Sequence, residues 1–403
     1  MHVILIGNYQ SDGLESMERF ADMLQSEFNN VGVTTTIWRP PIIAGRLYRS
    51  ATRLGKWLGY IDKFLFFPAI LRIRLVKKEF ANDLIRFHIC DHGNAPYLQF
   101  LPLNRTVITC HDALAIRGAL GYHDAFTPSS FTGKFFQKWI HHHLVRSNYI
   151  AAVSNETLKQ LLEISLPKPP PNEQANWTVV HHGFNAKFRK IDLEKQVSLL
   201  SAVGIDLSRP FLLHVGSNSL RKNRKLLLDM MKALKGRWGG RICFAGDKLD
   251  NSLRSYAIAL GLEQDVFSVV KPNHGTLLAL YNTCEAFIFP SFSEGFGWPV
   301  IEAQACGAPV IASSIEPMPE IGGEGAIYAD PNNPNEFAET FLRIRNNEEL
   351  RDRMVKLGFQ NQKRFCSKKM INAYLKLHGI EQDEHTPRKA NDYSVSLSEY
   401  LIP

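Results

Sequence analysis

Twelve short apolar or β-branched segments recur along this 403-residue chain, with stretches of helical character between them. Segments such as FLLHVG, RICFAG and AFIFPS are apolar throughout, as expected for strands that are covered on both faces. Strands that alternate with helices form parallel sheets with right-handed crossovers. Six segments in each half therefore predict an α/β protein with two Rossmann-like, doubly wound parallel-sheet domains. The segments are His2–Gly7, Thr34–Trp38, Phe87–Cys90, Thr106–Cys110, Tyr149–Ser154, Thr178–His182, Phe211–Gly216, Arg241–Gly246, Val266–Val270, Ala286–Pro290, Pro309–Ser313 and Ala326–Ala329.

The length of the chain also favours two domains, because single cores rarely grow to this size. We place the first domain at residues 1–195 and the second at 196–365. Residues 366–380 form a C-terminal helix that is expected to cross back to the first domain, and 381–403 form a polar tail. Ligands of open parallel sheets bind at the carboxyl ends of the strands, so two such domains facing each other predict a ligand cleft between them.

Cysteines and the N-terminus indicate the compartment. The six cysteines have no closely spaced pair, which leaves no disulfide or zinc framework. The N-terminal MHVILIG has no basic start and no small-residue cleavage site after it, so it is interpreted as a first strand and not as a signal peptide. Both features predict a cytoplasmic protein.

The net charge of +8 is located entirely in the first half of the chain. Arg39 to Lys78 contains ten basic residues and a single acid, Asp62, with aromatic residues between them. Its longest uncharged run is far shorter than the roughly 20 residues of a spanning helix. Two interpretations stay open: a segment that contacts an anionic membrane, or a lipid-diphosphate acceptor, on the inner face of the membrane, or a helix pair with a solvated basic face.

Nucleic acid and dinucleotide cofactors are disfavoured as ligands. The basic residues are confined to one segment, and no aromatic motif of the RNA-binding type accompanies them. No G-x-G-x-x-G string follows any predicted strand, which argues against a nicotinamide-dependent dehydrogenase.

The stretch PSFSEGFGWPVIEAQACGAPVIASS carries the most specific signal in the sequence. It places Glu294 in a strand-to-helix loop and Glu302 in the first turns of the following helix. Gly295 and Gly297 allow the backbone to approach a ligand closely and to point amides at it. The helix N-terminus favours an anion, while carboxylates accept hydrogen bonds from sugar hydroxyls. The pattern therefore predicts a ligand with both phosphate and hydroxyl groups.

The string EGFGxPxxEAxxxGxPVI resembles the signature of the retaining glycosyltransferases of family 4 (group 1), which have the two-domain GT-B fold. LLHVGSNSLRKNRKLLLDMM is similar to the family's phosphate-binding strand, loop and helix, with Gly216 at the strand end and Lys222 as the cation. Ser217 stands where the family often has arginine, and Arg221 is a candidate to supply that charge. TVITCHDALAIR matches the family's strand ending in His-Asp, which is His111 here.

The resemblance implies a role for each of these residues. Glu294, Lys222 and His111 are the expected catalytic group: Glu294 binds the donor sugar, Lys222 the diphosphate, and His111 the sugar hydroxyls or the developing charge. Glu302 is expected to bind the ribose hydroxyls. The remaining donor-binding candidates are the loop residues Gly295, Phe296, Gly297 and Trp298, the strand-end residues Gly216, Ser217 and Arg221, and Val270 and Lys271 near the base.

The loop after the first strand is the least specific part of the pattern. Asn8, Asp12 and Gly13 follow that strand, where they are placed to contact donor or acceptor. A plain turn with a helix cap explains the same residues equally well.

The reaction implied is the transfer of a sugar, with retention, from a nucleotide-diphosphate sugar to a hydroxyl acceptor. The acceptor would be a glycan or a lipid-linked molecule, in the synthesis of polysaccharide, lipopolysaccharide or glycolipid. The chain has no Asp-x-Asp, the motif by which metal-dependent transferases hold Mn or Mg, so no metal or other cofactor is expected. The alternatives are a non-catalytic sugar-nucleotide binder and a GT-B sugar-nucleotide epimerase.

Overall fold

The computed structural model describes residues 1–47, 53–77, 80, 82–128, 130–166, 176–184 and 186–380. The predicted tail, 381–403, lies outside the described residues, as do residues 48–52 and Lys78 of the basic segment.

The described residues contain two six-stranded sheets, and every pair of neighbouring strands is parallel. The first is composed of β1 (His2–Ile6), β2 (Thr34–Trp38), β3 (Ile85–Ile89), β4 (Thr106–Cys110), β5 (Tyr149–Ala152) and β6 (Asn176–Val179), in the order β2-β1-β3-β4-β5-β6. The second is composed of β7 (Phe211–Gly216), β8 (Arg241–Gly246), β9 (Val266–Val270), β10 (Ala286–Phe289), β11 (Val310–Ser313) and β12 (Ile327–Ala329), in the order β12-β11-β10-β7-β8-β9.

These sheets confirm the predicted fold class. Every predicted segment overlaps a strand, and the differences are one to three residues at the ends. Pro290 and Pro309 fall outside β10 and β11, because proline has no N–H to donate to a sheet ladder.

Helices cover both faces of each sheet. They are α1 (Glu15–Asn30), α2 (Arg53–Ile61), α3 (Phe67–Leu75), α4 (Leu114–Leu120), α5 (Phe131–Leu144), α6 (Asn155–Ser165), α7 (Leu193–Ser201), α8 (Arg224–Leu234), α9 (Asn251–Ala259), α10 (His274–Thr283), α11 (Trp298–Cys306), α12 (Met318–Gly322), α13 (Pro334–Arg345), α14 (Glu348–Asn361) and α15 (Ser367–Leu377). A π-helical turn, Asp62–Phe66, joins α2 to α3.

The C-terminal helix α15 packs on the first sheet and not on the second. Its buried residues Met370 and Tyr374 share one hydrophobic cluster with Val3 and Phe20, and the Tyr374 hydroxyl lies 2.9 Å from Thr109 Oγ1. The end of the described chain is therefore part of the core of the first domain.

The two domains also contact each other through polar groups. The Glu320 carboxylate, on α12, accepts hydrogen bonds from the Asn155 amide (2.9 Å), at the start of α6, and from His181 Nε2 (2.6 Å). The Gly295 carbonyl accepts one from Ser154 Oγ at 2.6 Å. These contacts hold the α6 end of the first domain against the loop that precedes α11.

Candidate active site

Each sheet has one point where the strand order reverses, and polar side chains meet at both points. In the second sheet β7 and β10 are neighbours although they are not consecutive. The loops that follow them carry Lys222 and Glu294 to the same crevice. In the first sheet β1 and β3 are the corresponding pair, followed by Asn8 and Asp91. Crevices of this kind are the usual ligand sites of open α/β sheets.

The Glu294 carboxylate forms salt bridges with two cationic side chains. Its Oε2 lies 2.5 Å from Arg221 Nη1, and its Oε1 lies 2.6 Å from Lys222 Nζ. The carboxylate is only 7% exposed. Burial raises its pKa, but Lys222 and then Arg221 outweigh burial and lower the pKa of Glu294 to about 2. Both cations that are predicted to face a diphosphate are therefore paired, within the protein, with the glutamate that is predicted to bind the sugar.

Lys222 reaches this position along a buried path. Its Nζ lies 4.7 Å from the centre of the Phe289 ring, and burial lowers its pKa although Glu294 opposes that shift. Gly216 leaves room for the Lys222 side chain, because a Cβ at this position would lie 3.3 Å from Lys222 Cδ and 3.2 Å from His214 Nε2.

Asn223 is a site residue that the sequence did not reveal. It adopts a left-handed conformation with φ of 52°, and its Nδ2 donates to the carbonyls of Pro290 (3.1 Å) and Pro331 (2.7 Å). It thus ties the loop that carries Lys222 to the loop that carries Glu294. Asparagine is one of the few residues that tolerate this backbone region.

Helix α11 begins directly after the glycine-rich turn. Gly297, at the helix N-cap, has φ of 104°, and a Cβ there would lie 2.6 Å from Met318 Cε. The first amides of α11 have no partner within the helix, and such amides favour an anion.

Glu302 lies in α11, in the turn after these amides. Its Oε2 accepts a hydrogen bond from the Tyr281 hydroxyl at 2.9 Å. Burial raises the pKa of Glu302 to about 7, although the Tyr281 hydrogen bond opposes the shift. Near neutral pH, Glu294 is therefore ionised, whereas Glu302 is close to its midpoint.

His111 is buried with both ring nitrogens occupied. Its Nε2 lies 2.8 Å from the Cys90 carbonyl, which can only accept, so this nitrogen carries the proton. Its Nδ1, 3.0 Å from His182 Nε2, must then accept from that ring. Burial lowers the pKa of both histidines, which keeps the pair neutral. The backbone carbonyl of His111 lies directly against the second domain, since a Cβ on Gly295 would lie 1.8 Å from it.

The aromatic residues of the turn contact the first domain. Trp298 stacks on His182 with ring centres 4.3 Å apart, and its Nε1 donates to the Gly183 carbonyl. Phe296 is buried in a cluster with Val153 and Phe365. These two side chains therefore help to close the domains on each other, while the amides of the same residues remain at the crevice.

The other predicted donor residues lie along the same edge of the second sheet. Ser217 follows β7 and is half-buried. Val270 ends β9 and Lys271 directly follows it, and β9 is separated from β7 by β8. Both are exposed, and Lys271 has φ of 46° with its N–H donating to the Gly246 carbonyl at 2.9 Å.

Asn8, predicted from the loop after β1, is fixed by Asp91. Asn8 Nδ2 donates to Asp91 Oδ2 at 2.6 Å, and Asn94 Nδ2 donates to Asn8 Oδ1. Asp91 was not singled out in the sequence, although it directly follows the β3 segment as His111 follows β4.

Asp12 and Gly13 lie farther along the same loop. They end a short 3-10 turn, Gln10–Asp12, with Gly13 left-handed at φ of 64°. Asp12 pairs with Lys63 at 2.7 Å.

Several buried polar atoms beside the crevice have no hydrogen-bond partner in the described part of the chain. Examples are Ser291 Oγ, in the loop before Glu294, and His214 Nε2, next to Gly216; His182 Nδ1 is a third, and Glu294 Oε1 has only its ion pair with Lys222. Across the described residues, no group of three or more His, Cys, Asp or Glu side chains is arranged to hold a metal ion.

The family model described as Glycosyl transferases group 1 matches residues 199–360. The match lies within the second domain and covers most of it. The matched region contains β7 to β12 and both glutamates of the crevice.

Individual group 1 relatives match over shorter or more divergent stretches. The O-antigen chain mannosyltransferase B of Escherichia coli is 35% identical over 99 residues, which are 24% of this chain and 26% of the relative. The O-antigen chain mannosyltransferase RfbU of Salmonella typhimurium is 26% identical over 250 residues, 62% of this chain and 66% of the relative. The matches thus span between about a quarter and two thirds of these relatives' lengths.

A solved structure resembles nearly the whole fold. The Anabaena protein HepE, in complex with UDP and glucose, superposes with a TM-score of 0.65 at 14% identity, covering 93% of this chain and 98% of HepE. At this identity the likeness supports the shared two-domain GT-B fold.

Proposed function

We propose that this protein is a group 1 glycosyl transferase, which moves a sugar from a nucleotide-diphosphate sugar to a hydroxyl acceptor in the synthesis of a surface polysaccharide or glycolipid. The observation that carries the proposal is the Glu294 carboxylate held between Arg221 and Lys222 at the strand-order reversal of the second sheet. A cation pair suits a diphosphate, and a desolvated carboxylate beside it suits sugar hydroxyls.

Cleavage of the donor requires that negative charge on the leaving diphosphate be stabilised. Lys222, Arg221 and the amides at the start of α11 are fixed before the reaction, so they need little reorganisation. As the diphosphate engages the two cations, Glu294 is released from them and accepts hydrogen bonds from the donor sugar. Glu302, one turn farther along α11, accepts the ribose hydroxyls.

The transfer is proposed to retain the configuration at the anomeric carbon. The bond from that carbon to the diphosphate oxygen breaks, and the acceptor oxygen bonds to the carbon on the same face. The acceptor's proton passes to the departing diphosphate oxygen. Charge neutralisation by Lys222 and Arg221 is proposed to replace a metal ion at the diphosphate.

The test is a transfer assay in which both product and leaving nucleotide are measured. Both curated relatives described above are mannosyltransferases and HepE binds UDP and glucose, so GDP-mannose and UDP-glucose are the first donors to test. Lys222→Ala should lower the turnover number by roughly a hundredfold to a thousandfold, whereas Lys232→Ala, on α8, should leave it unchanged. Unaltered turnover in Lys222→Ala, or inversion observed by NMR of the product, would contradict the mechanism.

We also propose that the first domain lies on an anionic membrane, on its cytoplasmic side. Two helices support this. Trp57 and Ile61 on α2, and Leu65 after it, are exposed by 58, 38 and 62%, and Phe131 and Phe135 on α5 by 90 and 75%. We call these five residues the α2–α5 face.

The two helices lie side by side. The Phe136 ring packs against Tyr60 and Phe64, with ring centres 5.6 and 5.2 Å apart. The residues of the face repeat every four positions on each helix, so each set lies along one side. Lysines on the same helices supply the attraction to anionic lipid. Within the described residues, no helix is long and apolar enough to cross a membrane.

Vesicle flotation tests this surface. Phosphatidylcholine vesicles with added phosphatidylglycerol should carry the protein upward, and the double variant Trp57→Ser, Phe135→Ser should remain at the bottom. Leu193→Ser removes a similarly exposed apolar residue from α7, a helix that packs against α10 of the second domain, and should not affect flotation. If the wild-type protein fails to float, or if the double variant floats equally well, the α2–α5 face does not bind the membrane and is exposed to solvent.

A further inference from the structure

A cavity of about 300 Å³ adjoins the α2–α5 face, on the side toward the cleft. It lies between the loop after β1 and helix α2, with Tyr9, Asp12, Gly45, Lys56 and Gly59 among its walls. Because Tyr9 and Asp12 closely follow Asn8, the cavity opens at the same carboxyl edge of the first sheet as the strand-order reversal.

The cavity is held open by a buried carboxylate. Asp62, which is fully buried, accepts hydrogen bonds from the Tyr9 hydroxyl (2.7 Å) and from the amides of Ala44 (2.8 Å) and Gly45 (2.9 Å). Asp62 begins the π-helical turn, a feature that often marks functional sites. The wall formed by Gly45 is therefore anchored to the helix by a specific set of bonds.

Glycines set the shape of the cavity. A Cβ on Gly45 would collide with the Tyr9 hydroxyl, and a Cβ on Gly59 would lie 3.2 Å from Tyr9 Cε1. Tyr9 is 2% exposed, so its ring lies directly against the α2 backbone. Any larger residue at either position would displace the ring.

The charges at the cavity suit a phosphate with an attached sugar. Lys56 is exposed and has no carboxylate partner within the described residues. Lys63 pairs with Asp12 at 2.7 Å and lies 4.8 Å from the Tyr60 ring centre. Asp12 and the buried Asp62 together offset two positive charges, but Asp62 is held by its own amide and hydroxyl donors. The exposed Lys56 ammonium is therefore the group available to a phosphate, and the Asp12 carboxylate can accept hydrogen bonds from hydroxyls.

The position of Lys56 links the cavity to the membrane-facing surface. Lys56 lines the cavity, and the next residue, Trp57, belongs to the α2–α5 face. A molecule with its polar end in the cavity would therefore have its tail beside exposed apolar side chains. We infer that this cavity holds the phosphate-bearing end of a lipid-linked acceptor, an inference that rests on the proposed sugar-transfer function.

The experiment compares two kinds of phosphatidylcholine vesicle, matched in surface potential, one containing polyprenyl phosphate and the other phosphatidylglycerol. Wild type should bind the polyprenyl phosphate vesicles more tightly. Lys56→Glu should lose roughly fivefold to tenfold of that affinity, so that the preference disappears. Lys159→Glu reverses another exposed lysine of the first domain and serves as the matched control, with the preference retained. A soluble sugar phosphate should not displace the protein from the vesicles, which distinguishes a lipid-borne phosphate from a free one.

Equal binding of wild type to both vesicles, a preference that persists in Lys56→Glu, or displacement by the soluble sugar phosphate would overturn the inference. A melting-temperature shift of each variant with GDP-mannose and UDP-glucose is measured in parallel. Lys56→Glu should keep the wild-type shift, because Lys56 lies in the other domain from the donor residues. If wild type binds no nucleotide sugar, the proposed function fails, whatever the vesicle result.

Discussion

Glu294 Oε1 lies 2.6 Å from Lys222 Nζ, inside a crevice where both residues are more than nine-tenths buried. The ammonium group that is proposed to bind the diphosphate is thus already paired with a carboxylate of the protein. A diphosphate that binds must compete with this carboxylate, and a donor sugar that arrives with it offers the carboxylate new hydrogen bonds.

Glu294→Gln should therefore affect nucleoside diphosphate and nucleotide sugar in opposite ways. With the competing negative charge removed, the affinity for nucleoside diphosphate alone should rise by roughly threefold to tenfold. Sugar transfer should fall by at least about a hundredfold, because the sugar loses its charged acceptor. Calorimetry with GDP and UDP, together with the transfer assay, measures both.

The matched control is Glu339→Gln, which removes an exposed glutamate paired with Arg237 and should change neither quantity. Weaker binding of nucleoside diphosphate to Glu294→Gln would mean that the carboxylate helps to hold the diphosphate site together instead of competing for it.

Glu302 should make donor binding depend on pH. Its folded-state pKa of about 7 lies above the ordinary 4.5, so the free protein holds a proton there that the unfolded chain releases. The proton on Glu302 therefore stabilises the folded state. This stabilisation is complete below about pH 4.5 and is lost as the pH rises through about 7. Hydroxyl groups that donate to the carboxylate favour its ionised form, so nucleotide-sugar affinity should increase from about pH 6 to 8.

Isothermal titration across this pH range checks the prediction, with a nucleotide sugar as ligand because its diphosphate diester does not titrate there. The increase should be absent in Glu302→Gln. A pH dependence that is identical in the variant would assign the effect to another group.

Gly295→Ala should prevent the two domains from closing. A Cβ at this position would lie 1.8 Å from the backbone carbonyl of His111, and a backbone atom cannot yield as a flexible side chain can. We expect turnover to fall by at least about a hundredfold, with each domain still folded. Small-angle scattering should show a larger radius of gyration. Gly239→Ala, where nothing lies within 4 Å of a new Cβ, is the control, and equal scattering of both variants would refute the prediction.

Asn223 provides a prediction on stability. Asn223→Ala removes the hydrogen bonds to Pro290 and Pro331 and places alanine at a φ of 52°, so it should destabilise the second domain by about 2–3 kcal/mol. Asn223→Gly loses the same bonds but adopts the conformation readily, so its urea midpoint should lie between those of Asn223→Ala and wild type. The reverse order of the two variants would show that conformation contributes little.

The strands could be predicted from the sequence because each is a short apolar run between polar or glycine-rich residues. The loop that is proposed to bind the donor could also be identified, since Glu294, Gly295, Gly297 and Glu302 lie within nine consecutive residues and their spacing is visible in the chain.

Relationships between distant residues could not be predicted in the same way. The stacking of His182 on Trp298 joins residues more than a hundred positions apart, and no periodicity records it. The family resemblance implied that His111 lies near the sugar, but its occupied ring nitrogens become visible only once Cys90 and His182 are located. Phe131 and Phe135 were missed because they lie outside the basic segment that drew attention to a membrane.

The packing of α15 on the first domain means that the backbone passes between the domains more than once, near Gly183 and again just before Ser367. These passages touch, since a Cβ on Gly183 would lie 2.9 Å from the backbone of Ser367. Two chain connections far apart would prevent the domains from moving relative to each other, whereas two adjacent connections act as a single hinge. Opening of the crevice should then be a rotation about this one corner, widest at the far rim where a bulky glycan has to enter.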